Sequence, residues 1–209
     1  MPIIYYDKKP DDIQIGIWKI DESEEFLFSI SNLDKEDARI YCSFSLELRR
    51  KQWLVARLLA NKIVGDNSKI IYNSIGKPFL KCGNFHISLS HTSNYLTLIA
   101  SRSYEVGIDI EHLSDRIYRL AHKFMHDNEM KRIEKKNELL YLYLSWSAKE
   151  AVYKIYNDTH LFFKDIQVIS IDFLSCTMAV NVNNDKYKHE FIMNYRIFDN
   201  NILVWTKKS

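Results

Sequence analysis

At 209 residues, 46% of them hydrophobic and 27% charged, the chain is long enough for one large domain or two small ones, with a core that needs no covalent staples. Its 29 Lys and Arg against 27 Asp and Glu leave a formal charge of +2, so no global field draws it to nucleic acid or to an anionic membrane, and any basic site must be local. Cys42, Cys82 and Cys176 are odd in number and far apart, with no C-x-x-C pair, which argues against a disulfide framework or a zinc site and fits a reducing cytoplasm.

The start, MPIIYYDKKPDD, has no long apolar run behind a basic stretch, so no secretory leader is expected there, and no segment approaches the length of a membrane span. Residues 3–6 and 14–20 read as short strands parted by the polar turn DKKPDD, and short helices are expected near 22–30 and 34–43. From 46 to 64 the pattern is strongly helical: Leu54, Leu58, Val55, Leu59 and Ile63 recur at steps of four, and Gly65 is a plausible stop. Four short strands follow, KIIYN, KPFLK, FHISLS and YLTLIAS, the last leading into VGIDIEHL at 106–113. Helices are then expected at 116–125, 127–136 and about 137–156, before an antiparallel meander of DIQVISIDFL, TMAVNVN, EFIMNYRIFD and NILVWTKK. Strands, a long helix and more strands, occurring twice, predict an α+β protein. The expected architecture is a pseudo-twofold duplication of two lobes, 1–103 and 104–209, each a long helix on a mainly antiparallel sheet, with the functional site in the groove between them.

Four stretches carry candidate chemistry. In VGIDIEHL, Val106, Ile108 and Ile110 alternate with Gly107, Asp109 and Glu111, so a strand would aim both acids at one small space. Such a pair suits a divalent cation, although a D-x-E triplet also fits an edge strand with its acidic face in water. In LSWSAKEAVYK, Trp146, Glu150 and Lys154 stand at i, i+4 and i+8 and share one helical stripe. A solvated Glu to Lys pair would explain the last two but not the tryptophan. In SIGKPFL, Gly76 and Pro78 hold Lys77 in a turn at the head of a strand, ready for an anion or simply exposed. In FHISLSHTSNY, Ser90 and His91 end a strand where a hydroxyl, a loop amide and an imidazole could donate to phosphate, whereas no G-x-S-x-G elbow supports a nucleophilic serine.

The order GKP, ISxSH, GIDIE and WSxKEAxxK resembles the signature of the 4′-phosphopantetheinyl transferase superfamily, in particular its two-lobed, surfactin-synthetase-activating type, over roughly residues 45–165. The resemblance implies that coenzyme A lies between two α/β lobes and that its phosphopantetheine arm passes to a serine of an apo acyl or peptidyl carrier protein, releasing adenosine 3′,5′-bisphosphate. It implies Mg²⁺ held by Asp109, Glu111 and Glu150. Glu150 is then the base for the carrier serine, and Lys154 neutralises the leaving bisphosphate. Lys77, Ser90 and His91 would hold the adenosine-side phosphates, and Arg49, or Arg50 in a shifted register, the 3′-phosphate. Two departures stand out: YNDTH at 156–160 replaces the family's usual glycines, with Asn157 able to take a left-handed cap, and His86 stands where asparagine is common. A cytoplasmic monomer acting in fatty acid, polyketide or nonribosomal peptide synthesis is expected. The same three acids would also serve a Mg²⁺-dependent phosphoesterase acting on coenzyme A-like pyrophosphates, and a non-catalytic coenzyme A-binding module would need them only structurally.

Overall fold

Ile13, Ile15 and Ile17 alternate with Gln14, Gly16 and Trp18, which suits a central strand buried on both faces. In the computed structural model, which describes residues 3–8, 12–65 and 68–208, this run is β2 (Gln14–Lys19). It pairs with β1 (Ile3–Lys8) on one side and β6 (Tyr95–Ser101) on the other, and β5 (His86–His91) completes an antiparallel sheet in the order β1-β2-β6-β5. Residues 9–11 of the expected DKKPDD turn lie outside the described residues. The chain divides into two compact units, Met1–Ser103 and Tyr104–Ser209.

In the first unit α1 (Glu24–Ile30) and α2 (Lys35–Ser43) begin at Ser23 and Asp34, whose side chains accept the amides of Phe26 at 3.2 Å and Asp37 at 2.8 Å. Each such cap contributes about 1 kcal/mol. α3 (Glu47–Val64) buries Leu54, Val55, Leu59 and Ile63, and it stops at Gly65, whose φ of +82° is a glycine conformation. Burying each of those leucines contributes about 2 kcal/mol of transfer free energy. Leu59 and Ile63 lie over Gly16 of β2: a Cβ there would meet Ile63 Cδ1 at 2.7 Å and Leu59 Cδ1 at 2.8 Å. β3 (Ile70–Tyr72) and β4 (Pro78–Leu80) make a separate hairpin and do not join the main sheet. Its turn is closed by Asn73, whose Oδ1 accepts the amides of Ile75 at 3.1 Å and Lys77 at 2.8 Å, and by Gly76 at φ +82°.

The second unit is a five-stranded antiparallel sheet, β7-β11-β10-β9-β8, built from β7 (Glu105–His112), β8 (Ile166–Asp172), β9 (Thr177–Asn183), β10 (Lys188–Phe198) and β11 (Asn201–Lys208). The meander and the α+β class are as expected. α4 (Arg116–Phe124) leads into α5, which covers only Asp127–Met130 of the helix expected to reach residue 136. The reason is a long-range tie. Glu129 is 1% exposed and accepts from the His126 amide at 2.8 Å, the Val168 amide at 2.8 Å and Lys149 Nζ at 2.7 Å. Arg132 then donates to the carbonyls of Val168 and Ile169 at 3.2 and 3.0 Å. The segment is pinned to β8, and its turn cannot repeat as a helix. α6 (Glu138–Tyr156) packs on the sheet and ends at Asn157, whose left-handed φ 47°, ψ 47° supplies the cap expected of it. No helix among the described residues is long and apolar enough to cross a membrane.

Candidate active site

The pleat of β7 puts Gly107, Asp109 and Glu111 on one face, and α6 crosses that face at a separation only glycine permits. A Cβ on Gly107 would stand 2.0 Å from the Ala151 carbonyl oxygen. Glu150 adjoins Ala151 and Lys154 follows within a turn, so the close crossing lays the polar stripe of the helix against the acids of the strand. Lys154 Nζ donates to Asp109 Oδ1 at 2.8 Å and to the Ile108 carbonyl at 2.9 Å. Two turns earlier, Trp146 Nε1 donates to Glu111 Oε1 at 2.9 Å, while Arg116 Nη2 lies 3.9 Å from Glu111 Oε2. The bland expectation, an acidic face in water, does not hold for Asp109, which is 4% exposed.

Charge crowding follows from this packing. Burial, then the neighbouring Asp109, push the Glu150 carboxyl up to about 7, with Glu111 adding to the rise and Lys154 opposing it. Glu111 is raised by burial and by Asp109, against the Trp146 bond and the charges of Arg116 and Lys154. Three carboxyls within electrostatic reach of each other, with Lys154 bonded to one of them, form a donor set that suits a hard divalent cation. Among the described residues no three His, Cys, Asp or Glu side chains are disposed as a finished metal site. Lys154 and Trp146 each already engage one carboxylate oxygen of the set.

The residues expected to bind phosphate lie in the first unit. Arg49 Nη1 and His91 Nε2 are 3.0 Å apart. Both line a cavity of ≈ 170 Å³ together with Trp53, Tyr72, Gly76 and Pro78. Lys77 and Ser90 are not among its lining residues, although each adjoins one that is. Arg50, the alternative to Arg49, is committed elsewhere: it grips Glu24 through Nε at 2.7 Å and Nη2 at 2.9 Å and donates to the carbonyls of Phe44 and Ser45. Neighbouring helix positions point about 100° apart, and the partner 26 residues upstream decides which arginine is spent structurally. Gln52 was missed in the sequence; it donates to the Thr92 carbonyl at 3.0 Å and holds the loop after His91. The buried Lys149 was missed as well, since its partner Glu129 carries no local signal. Larger cavities, of ≈ 480 Å³ beside Tyr141 and Phe173 and ≈ 200 Å³ beside Arg57 and Asp37, hold none of the motif residues.

Residues 105–197 match the family model of the 4'-phosphopantetheinyl transferase superfamily. The matched segment contains β7, α6 and the three acids. Among known proteins it is 27% identical over 139 residues to the 4'-phosphopantetheinyl transferase gsp of Aneurinibacillus migulanus, covering 62% of this chain and 58% of that protein. It is 27% identical over 113 residues to the 4'-phosphopantetheinyl transferase AcpT of Salmonella typhi, covering 51% and 59%. To AcpT of Escherichia coli K12 it is 30% identical over 112 residues, covering 51% and 57%. The chain thus spans under three fifths of the length of these curated relatives.

Proposed function

We propose that the protein transfers the 4′-phosphopantetheine arm of coenzyme A to a serine of an apo acyl or peptidyl carrier protein, with Mg²⁺ as cofactor, and that it is of the two-lobed type. The observation that carries this reading is the meeting of Asp109, Glu111, Glu150 and Lys154 across the Gly107–Ala151 crossing, inside the segment that matches the superfamily. Asp109, Glu111 and Glu150 would hold the ion, which when bound supplies positive charge to the pyrophosphate oxygens.

In the proposed reaction the carrier serine Oγ bonds to the phosphorus adjoining pantetheine. The bond from that phosphorus to the bridging oxygen breaks, and the bridging oxygen leaves with its electron pair on adenosine 3′,5′-bisphosphate. The serine proton goes to Glu150, which lies within electrostatic reach of Asp109 and Glu111 at the crossing of α6 over β7. Lys154, a fixed ammonium beside Asp109, offsets charge growing on the leaving phosphate. In the first unit Arg49 and His91, with Lys77 and Ser90 beside them, would hold the adenosine-side phosphates.

Incubation with coenzyme A, Mg²⁺ and a panel of apo carrier proteins, followed by mass spectrometry of the carriers, tests the proposal. A phosphopantetheine adduct is expected with at least one carrier, and Glu150→Gln should reduce its rate by about 10²- to 10⁴-fold. Absence of an adduct with every carrier, or hydrolysis of coenzyme A without one, overturns it.

A further inference from the structure

The geometry points to Trp146 as a positioning residue for the acidic centre: its indole N–H holds the Glu111 carboxylate by Oε1, so that Oε2 is the oxygen presented to a cation. The inference rests on the function proposed above and deepens it. A glutamate side chain has three rotatable bonds, and a half-buried one beside Asp109 is repelled by it, so some group must hold it in place. Trp146 Nε1, 2.9 Å from Oε1, is that group. Arg116 is too far from Oε2, at 3.9 Å, and too exposed, at 65% for its side chain, to do the same.

The indole is itself immobilised. Its ring meets Phe124 edge-on at 5.1 Å and Phe163 edge-on at 5.3 Å, and Phe163 is backed by Tyr153 at 5.8 Å. Phe124 is fully buried. The donor direction is therefore set by two ring contacts, from α4 and from the turn after α6, the second backed by Tyr153 of α6. An indole also differs from the alternatives in kind. It donates without accepting, carries no charge and does not titrate, so it orients the carboxylate without competing electrostatically with a cation. Outer partners of this sort, which aim a ligand without touching the ion, are the usual means by which a site keeps its geometry. This accounts for the tryptophan on the Glu150–Lys154 stripe, which a solvated ion pair leaves unexplained.

The test measures Mn²⁺ binding by electron paramagnetic resonance, with carrier transfer assayed in parallel. Trp146→Phe keeps a ring against Phe124 and Phe163 but removes the N–H. It should weaken Mn²⁺ binding by about 10- to 100-fold and raise the Mg²⁺ requirement of transfer in proportion, leaving the KM for coenzyme A within about twofold. In a Glu111→Gln background the same change should have no further effect on Mn²⁺. Trp146→Gln sacrifices ring packing but restores a donor, so it should bind Mn²⁺ better than Trp146→Phe while unfolding more easily. Unchanged Mn²⁺ binding in Trp146→Phe, equal weakening with and without Glu111, or Phe binding Mn²⁺ as well as or better than Gln would each overturn the inference and leave the proposed function standing. A wild-type protein that neither binds Mn²⁺ nor forms an adduct overturns both.

Discussion

Each unit lays its long helix over a glycine of its sheet, but the two glycines face different things. Above Gly16 lie the tips of the Leu59 and Ile63 side chains, and above Gly107 lies the main-chain carbonyl of Ala151. Side-chain tips can change rotamer; a carbonyl oxygen within a helix moves only if the helix moves. The first unit therefore sets its helix by packing that can adjust, and the second by contact between backbones. The second is also where Asp109 and Lys154 must meet to within a few tenths of an ångström. Buried charge divides the same way. Lys149 and Glu129 of the second unit have side chains 0% and 1% exposed, whereas Arg57 and Asp37 of the first retain 10% and 11%.

The largest expected effect breaks the buried pair. Burial pushes the Lys149 ammonium down while Glu129 opposes that shift, so the pair depends on both partners being present. Lys149→Met should cost about 3–5 kcal/mol in urea unfolding, because it strands a carboxylate, and adding Glu129→Gln should recover part of the loss. A single substitution that costs no more than Asp37→Asn in the first unit would remove the contrast between the units.

Next come the glycines. Gly107→Ala places a Cβ 2.0 Å from a backbone oxygen and should cost about 3 kcal/mol with loss of transfer activity; Gly16→Ala meets only movable methyls and should cost about 1 kcal/mol with activity kept. Equal costs would show that backbone and side-chain neighbours yield alike, contrary to the comparison.

The smallest effect is one of pH and belongs to the first unit. A hydrogen bond from Arg50 holds the Glu24 carboxyl below its ordinary 4.5, burial opposing and Tyr41 assisting. The unfolded chain thus binds the proton more readily than the folded one, and stability rises with pH across that window. Glu24 contributes fully above 4.5 and loses its contribution as pH falls through the lower folded value. The advantage of wild type over Glu24→Gln, read from urea midpoints, should shrink in acid. A gap that widens in acid would contradict the sign.

Much of the site was legible because its spacing is local. Period two in VGIDIEHL puts Gly107, Asp109 and Glu111 on one face, and 3.6-residue periodicity puts Trp146, Glu150 and Lys154 on one stripe, whatever else the chain does. The Asn157 cap was legible for the same reason, since a left-handed residue is a property of one position. The early end of α5 was not, because the contacts that pin this segment join Glu129 to Lys149 and to the Val168 amide, 20 and 39 residues away. The separate β3–β4 hairpin was likewise invisible, since a short strand carries no mark of which neighbour it will choose.

By itself the sequence determined which side chains share a face of a strand or helix, and so which chemistry was on offer, because pleat and helical pitch are properties of the local backbone. Only the tertiary structure decided that Trp146 belongs to Glu111, that Arg50 is spent on Glu24 while Arg49 meets His91, and that Asp109 is buried where α6 crosses β7. Those outcomes depend on how closely two elements approach, and that is set by contacts between residues distant in the chain, such as Gly107 against the carbonyl of Ala151.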